Sequence, residues 1–184
     1  MDKFLFDLFR EELLLCGVKT GERVGVLSED LIRRDYALAF VAAAEDLGAD
    51  AIHVNIAKRA GSFFGPGNSL RGRQAAIDTL KATDLVVDLL GLLWSAEQEE
   101  ITATGTRMLL VLEPPSVLAR LRSSRDARAR VETAVAVLSA ARELRVTSPG
   151  GTDVTYRIGT MRTIGQYGYT DEPVDKDWTI VELE

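Results

Sequence analysis

Ser28, Glu29 and Asp30 form a polar run directly after the apolar segment Val24 to Leu27, the first place in this 184-residue chain where chemistry could reside. Two adjacent carboxylates could face a ligand or hold a hard cation such as magnesium. The same pair also suits the start of a helix, where acids complement the dipole and cap free N–H groups. Glu113 presents the same choice between crevice and cap, at the end of an apolar run before Pro114 and Pro115. Trp94 follows Leu92 and Leu93 at the end of another run. Packing is its default role, although an aromatic ring at such an edge could wall a ligand pocket. Glu29, Leu93, Trp94 and Glu113 are therefore the candidate pocket residues. His53 alternates with Ile52 and Val54 at strand spacing and reads as structural. Cys16 reads as inert core. Lys58, Arg59, Arg71 and Arg73 stand in an acid-free stretch that could receive an anion, but a solvated loop is the favoured reading.

Counts narrow the chemistry. Histidine and cysteine each occur once, so no internal disulfide can form. Transition-metal sites draw three or four ligands, mostly histidine and cysteine, so a metal site here would be nearly all carboxylate. A net charge of −6 makes nucleic acid and anionic membranes poor partners. The apolar runs, such as Leu89 to Trp94, fall far short of the ~20 residues of a membrane helix. The first sixteen residues mix Phe4, Leu5, Phe6, Leu8 and Phe9 with Asp2, Asp7, Arg10, Glu11 and Glu12. That mixture predicts an amphipathic helix rather than a signal peptide, and a cytoplasmic location. The length suits one domain with an appendage.

The elements that must position these residues alternate. Helices are expected over Lys3 to Cys16, Arg33 to Leu47, Arg73 to Lys81 and from Ser95 to about Thr104, with Gln98 completing a capping box on Ser95. Between them, Val24 to Leu27, Ala51 to Ile56, Leu85 to Leu89 and Arg107 to Leu112 read as strands. A Gly/Pro-rich loop spans Ala57 to Gly72, and Pro114-Pro115 opens another helical turn. Strands apolar on both faces and separated by helices predict a Rossmann-like α/β domain: a parallel sheet of about four strands with helices on both faces. A long helix over Asp126 to Arg145 follows, then a hairpin turning at Pro149-Gly150-Gly151. The expected division is an α/β domain over residues 1–143 and the start of an α+β region over 144–184.

In open parallel sheets ligands bind beyond the carboxyl ends of the strands, here Ser28-Glu29-Asp30, Asn55, Leu90-Gly91 and Glu113. No G-x-G-x-x-G or P-loop follows a strand, and Gly65-Pro66-Gly67 opens no helix, so nucleotide binding is disfavoured.

Two stretches, Val18-Lys-Thr-Gly-Glu-Arg-Val and Ala42-Ala-Ala-Glu-Asp-Leu-Gly-Ala-Asp, resemble the amino-terminal domain of aminopeptidase T-type metallopeptidases. Their relatives, the 2,5-dihydroxypyridine 5,6-dioxygenases, match further. The resemblance to that branch is carried by Gly91-Leu-Leu-Trp-Ser, Gly105-Thr-Arg-Met-Leu, Glu113-Pro-Pro, Val146-Thr-Ser, Gly151-Thr-Asp-Val-Thr-Tyr and Tyr167-Gly-Tyr-Thr-Asp-Glu-Pro. It runs from Lys3 to Pro173, beyond which Val174 to Glu184 no longer follows the pattern.

The resemblance implies a chain about half the length of its relatives, whose metal ligands lie in their second half. Those ligands hold iron(II) by two histidines and one carboxylate in the dioxygenase branch, or paired divalent metals in the peptidase branch. No ligand carries over, so no cofactor is expected on this chain. The dioxygenase branch also places a histidine after the Leu-Leu pair, where Trp94 stands here. The expectation is an amino-terminal domain of a metalloenzyme, truncated before the metal set and inactive alone. A small aromatic ligand and self-association into a homo-oligomer are expected of it. Within that expectation the dioxygenase-like branch is the first reading, and three alternatives stay open: a fragment of an aminopeptidase T-like metallopeptidase, a stand-alone binding or assembly module, and an unrelated enzyme using Glu29, Asp30 or Glu113 with magnesium.

Overall fold

Apolar residues spaced three and four apart in the first segment form helix α1, Lys3–Leu15, which buries Leu5, Leu8, Phe9 and Leu13. Asp2 caps it by accepting the Phe4 N–H at 2.8 Å. Helix α2, Arg34–Asp46, buries Tyr36, Ala37, Phe40 and Ala44 against it. The Phe9 ring stacks on Phe40 at 3.9 Å and meets Tyr36 edge-on at 5.1 Å. Each such fully buried ring is worth about 1.5–3 kcal/mol of transfer free energy, so this contact anchors one layer of the fold. The computed structural model describes residues 2–30, 32–160 and 163–173. The tail expected to diverge, Val174–Glu184 with its Trp178, lies outside the described residues.

Four short apolar segments form one sheet: β1, Arg23–Glu29; β2, Asp50–Ile56; β3, Leu85–Asp88; and β4, Arg107–Leu110. Their order is β2-β1-β3-β4 and every neighbouring pair is parallel, as the alternating pattern predicts. The register sets Val26 beside His53 and Val87, and Leu27 beside Val54 and Asp88. One face carries Leu27, Ile56 and Val86 and packs on Ile77 and Leu80 of α3, Gln74–Lys81, and on Ile101 of α4, Ala96–Thr102. Val24, Val26, Leu85 and Val87 alternate to the other face, and all four are completely buried. Helices therefore cover both sides. Short βαβ connections permit only this parallel arrangement.

A short helix α5, Pro115–Leu118, follows β4. Helix α6, Arg125–Ala140, then starts from a Ser124 side-chain cap on the Ala127 N–H. It stops five residues short of the Arg145 expected from sequence. Leu144 and Val146 alternate with Glu143, Arg145 and Thr147, a period of two, and form β5, Glu143–Thr147. β5 pairs antiparallel with β6, Asp153–Arg157, through a turn closed by Ser148 and Thr152. The described residues fall into two compact units: residues up to Arg122 with the segment from Tyr169, and Ser123–Gly168. The division at 143/144 drawn from sequence falls in the second unit, after the first residue of β5. Among the described residues no helix is long and apolar enough to cross a membrane.

Candidate functional site

The carboxyl edge of the sheet is built by three strand exits. Among the described residues, the non-glycine residues with positive φ are Asp30 (+46°), Arg33 (+53°) and Trp94 (+61°), all just past the ends of β1 and β3. L-residues held there cost of order 1–3 kcal/mol each, and such strain concentrates where a fold presents function.

Asp88 organises the exit from β3. It is 1% exposed. Its Oδ1 accepts the Leu90 and Gly91 N–H groups at 2.8 and 3.0 Å, and its Oδ2 accepts that of Leu92 at 2.6 Å. Burial raises the pKa of this carboxyl, against the three N–H groups and the Arg33 guanidinium, which favour its anion. Arg33 clamps the same edge by donating to Leu89 O at 3.3 Å and Leu112 O at 2.7 Å. The loop ends at Trp94, whose N–H donates to Gln98 Oε1 at 2.7 Å while Gln98 N donates to Ser95 Oγ. The expected capping box thus forms with one difference: Gln98 reaches back to Trp94 rather than to Ser95. Trp94 is 53% exposed.

The loop after β2 docks on this one. Gly65 N–H donates to Gly91 O at 2.8 Å, and the Phe64 ring lies over Gly91. Asn68 is buried and fixes the loop from within. Its amide donates to Gly65 O and Glu97 Oε2 at 2.8 and 2.9 Å, and its carbonyl accepts from Leu70 and Arg71. Phe63 is 67% exposed beside it. Phe63, Phe64 and Trp94 thus leave three aromatic rings exposed on the loops of this edge.

Between these loops lies a cavity of about 170 Å³ whose wall includes Glu29, Lys58, Ser62, Phe63, Phe64 and Ser69. Ser69 Oγ stands 2.6 Å from Glu29 Oε2 and 2.9 Å from Ser62 Oγ. Its single proton goes to the carboxylate, so the Ser62 hydroxyl donates the second bond. Lys58 Nζ stands 3.5 Å from Glu29 Oε1.

Of the four candidate pocket residues, Glu29 lines this cavity. Leu93, Trp94 and Glu113 do not. Leu93 backs the docked loop, its carbonyl facing Gly65. The Glu113 side chain is exposed, and its backbone carbonyl accepts from Tyr36 Oη at 2.8 Å. The capping alternatives do not hold: Arg33 is the N-cap of α2 and Pro114 that of α5, neither with a side-chain cap hydrogen bond. Asp30 instead accepts the Lys58 backbone N–H at 2.9 Å, tying β1 to the loop after β2. Two of the acid-free cations are engaged, Lys58 by Glu29 and Arg73 by the Ala57 carbonyl at 2.7 Å. His53 Nε2 stands 2.6 Å from the buried Ser28 Oγ, which gives its own proton to Asn55 Oδ1 at 3.0 Å. The histidine is therefore the donor, and desolvation lowers its pKa. It serves the sheet edge.

Sequence reasoning missed Asp88 and Asn68. An acid at the end of a fully apolar strand and an Asn after Gly-Pro-Gly were the available signals. A larger cavity of about 390 Å³ opens at the opposite edge. There the Arg107 guanidinium is spent on Cys16 O, Asp84 O and Glu22, the last at 2.9 Å, which makes that pole structural.

Three likenesses bear on this edge. Residues 4–179 match the model of the 2,5-dihydroxypyridine 5,6-dioxygenase (NicX) family, a match that continues past Pro173, where the sequence reading ends it. A 2,5-dihydroxypyridine 5,6-dioxygenase of Pseudomonas putida KT2440 is 48% identical over 105 residues, 57% of this chain and 30% of that protein. The solved structure of a 2,5-dihydroxypyridine dioxygenase from Pseudomonas putida KT2440 superposes with a TM-score of 0.84 at 36% identity, covering 92% of this chain and 51% of that one. The chain thus spans about a third to a half of these relatives' length. None of the three likenesses is to a peptidase.

Proposed function

Since this chain belongs to the 2,5-dihydroxypyridine 5,6-dioxygenase family, we propose that it supplies the ring-binding half of a hydroxypyridine-cleaving enzyme. The observation that carries this reading is the carboxyl edge itself. Glu29, Phe63 and Phe64 meet there in a cavity of about 170 Å³. Cavities on the order of 150 Å³ hold one six-membered ring. Phe63 and Phe64 offer faces for stacking, and the polar wall of Glu29, Lys58, Ser62 and Ser69 orients ring substituents.

The iron that the resemblance implies does not fit these residues. Two histidines and a carboxylate cannot come from a chain with one histidine, and His53 is engaged with Ser28. Among the described residues no group of three or more His, Cys, Asp or Glu side chains could hold a metal ion. No step of ring cleavage is therefore assigned to this chain. Its residues bind and orient; Trp94, which offers an indole N–H and an apolar face, supplies no titratable base.

Titration calorimetry with 2,5-dihydroxypyridine tests the reading. Saturable binding near millimolar Kd, about −4 kcal/mol, is expected, with Ser62→Phe filling the cavity and abolishing it. Binding that survives Ser62→Phe unchanged in a folded variant would place the ring elsewhere.

A further inference from the structure

Glu29 and Lys58 form an ion pair with spare bonding capacity aimed at a cavity. Glu29 Oε2 is satisfied by Ser69 at 2.6 Å, but among the described residues Oε1 has only Lys58 Nζ, at 3.5 Å, longer than a good charge-assisted bond. Lys58 has three N–H donors, and the Glu29 carboxylate is its one ion-pair partner among the described residues. The carboxylate is held firmly. Its side chain is 15% exposed, against 48% for the lysine. Ser69 in turn is fixed by the Arg59 N–H at 3.1 Å and by Ser62. A braced, part-buried acceptor and a more exposed donor therefore stand side by side in the wall of a cavity that Phe63 and Phe64 also line.

A ring complementary to that pair carries a donor and an acceptor. A phenol must use one oxygen both to donate to Glu29 and to accept from Lys58, so its two bonds share an atom. A 2-hydroxypyridine in its pyridone tautomer presents N–H and C=O side by side: the N–H would donate to Glu29 Oε1 and the carbonyl would accept from Lys58 Nζ. We propose that the Glu29–Lys58 pair is a specificity element that reads the lactam edge of a hydroxypyridine and selects the pyridone tautomer over benzenoid phenols. This rests on the ring-binding role argued above. The bias comes from the part-buried carboxylate: a ligand that cannot donate leaves Glu29 Oε1 with its 3.5 Å lysine contact alone.

The test is a calorimetric series on the full chain with 2-pyridone, N-methyl-2-pyridone, which lacks the N–H, and phenol, with 2,5-dihydroxypyridine as reference. The wild type is expected to bind 2-pyridone at least about tenfold more tightly than the other two. Glu29→Gln, which keeps an acceptor for Ser69, and Lys58→Met, on an exposed loop, should each reduce the preference to about twofold or less, with thermal melts reporting folding. Equal binding of all three rings by the wild type, with 2,5-dihydroxypyridine still bound, overturns the lactam reading and leaves the ring-binding role standing. Absence of binding by every ring, 2,5-dihydroxypyridine included, removes both.

Discussion

Phe64 lies so close over Gly91 that a Cβ built on the glycine would stand 2.4 Å from the ring's Cδ2. Gly91 also holds φ +93°, a conformation that side chains rarely adopt. The two loops of the carboxyl edge are thus joined by a contact that only glycine permits. Gly91→Ala should destabilise the fold by about 2–3 kcal/mol, from strain and from displacement of the ring. Phe64→Ala in the same chain should recover part of that loss. Urea denaturation of the two single variants and the double variant gives the coupling, expected to be about 1 kcal/mol.

Asp88 is the second support of that edge. Asp88→Ala leaves three buried backbone N–H groups without an acceptor and should cost about 3 kcal/mol or more. Asp88→Asn retains one acceptor oxygen and should cost roughly half as much. Because the loop ends at Trp94, both variants should change acrylamide quenching of Trp94, measured with Trp178→Phe to leave one indole.

Much of this architecture is legible in the sequence. Period-four spacing in α1 and α2 and continuous apolar runs in β1 and β3 fix the elements, and their alternation fixes the parallel sheet. The helix expected to run to Arg145 shows the limit: Arg142 to Arg145 continues a helical composition, and only the partner strand Asp153–Arg157 makes the period of two decisive. The site was legible in position but not in membership. That the edge beyond β1 and β3 matters follows from topology, and Glu29 lines the cavity. Ser62, Ser69 and Asn68 come from a Gly/Pro-rich loop whose path no periodicity encodes, and the carboxylate of Asp88 acts through backbone N–H groups that no side-chain motif reveals.

Stability should also depend on Glu12. Among the described residues its Oε1 is buried without a hydrogen bond, and burial pushes its pKa from 4.5 to about 7. The folded state thus takes up a proton that the unfolded chain has already released above pH 4.5. The stabilisation is complete below pH 4.5 and is lost as pH rises through about 7. Since the group is partly solvated, the loss should be about 1–2 kcal/mol between pH 5 and pH 8. Glu12→Gln should be flatter over that range, and more stable than wild type at pH 8, by urea denaturation at the two pH values.

Iron content separates binding from metal chemistry. The dialysed 184-residue chain should carry well under one iron or zinc per molecule by elemental analysis. A value near one would require a ligand set that one histidine cannot build.

The most direct measurement is amide chemical-shift mapping as 2,5-dihydroxypyridine is added to the ¹⁵N-labelled chain to millimolar concentration. Saturable shifts are expected at Lys58, Ser62, Phe63, Gly65, Ser69 and Gly91, the residues that wall and brace the carboxyl-edge cavity. Shifts confined to Lys81, Thr106 and Arg107, around the cavity at the opposite edge, would contradict ring binding at the carboxyl edge.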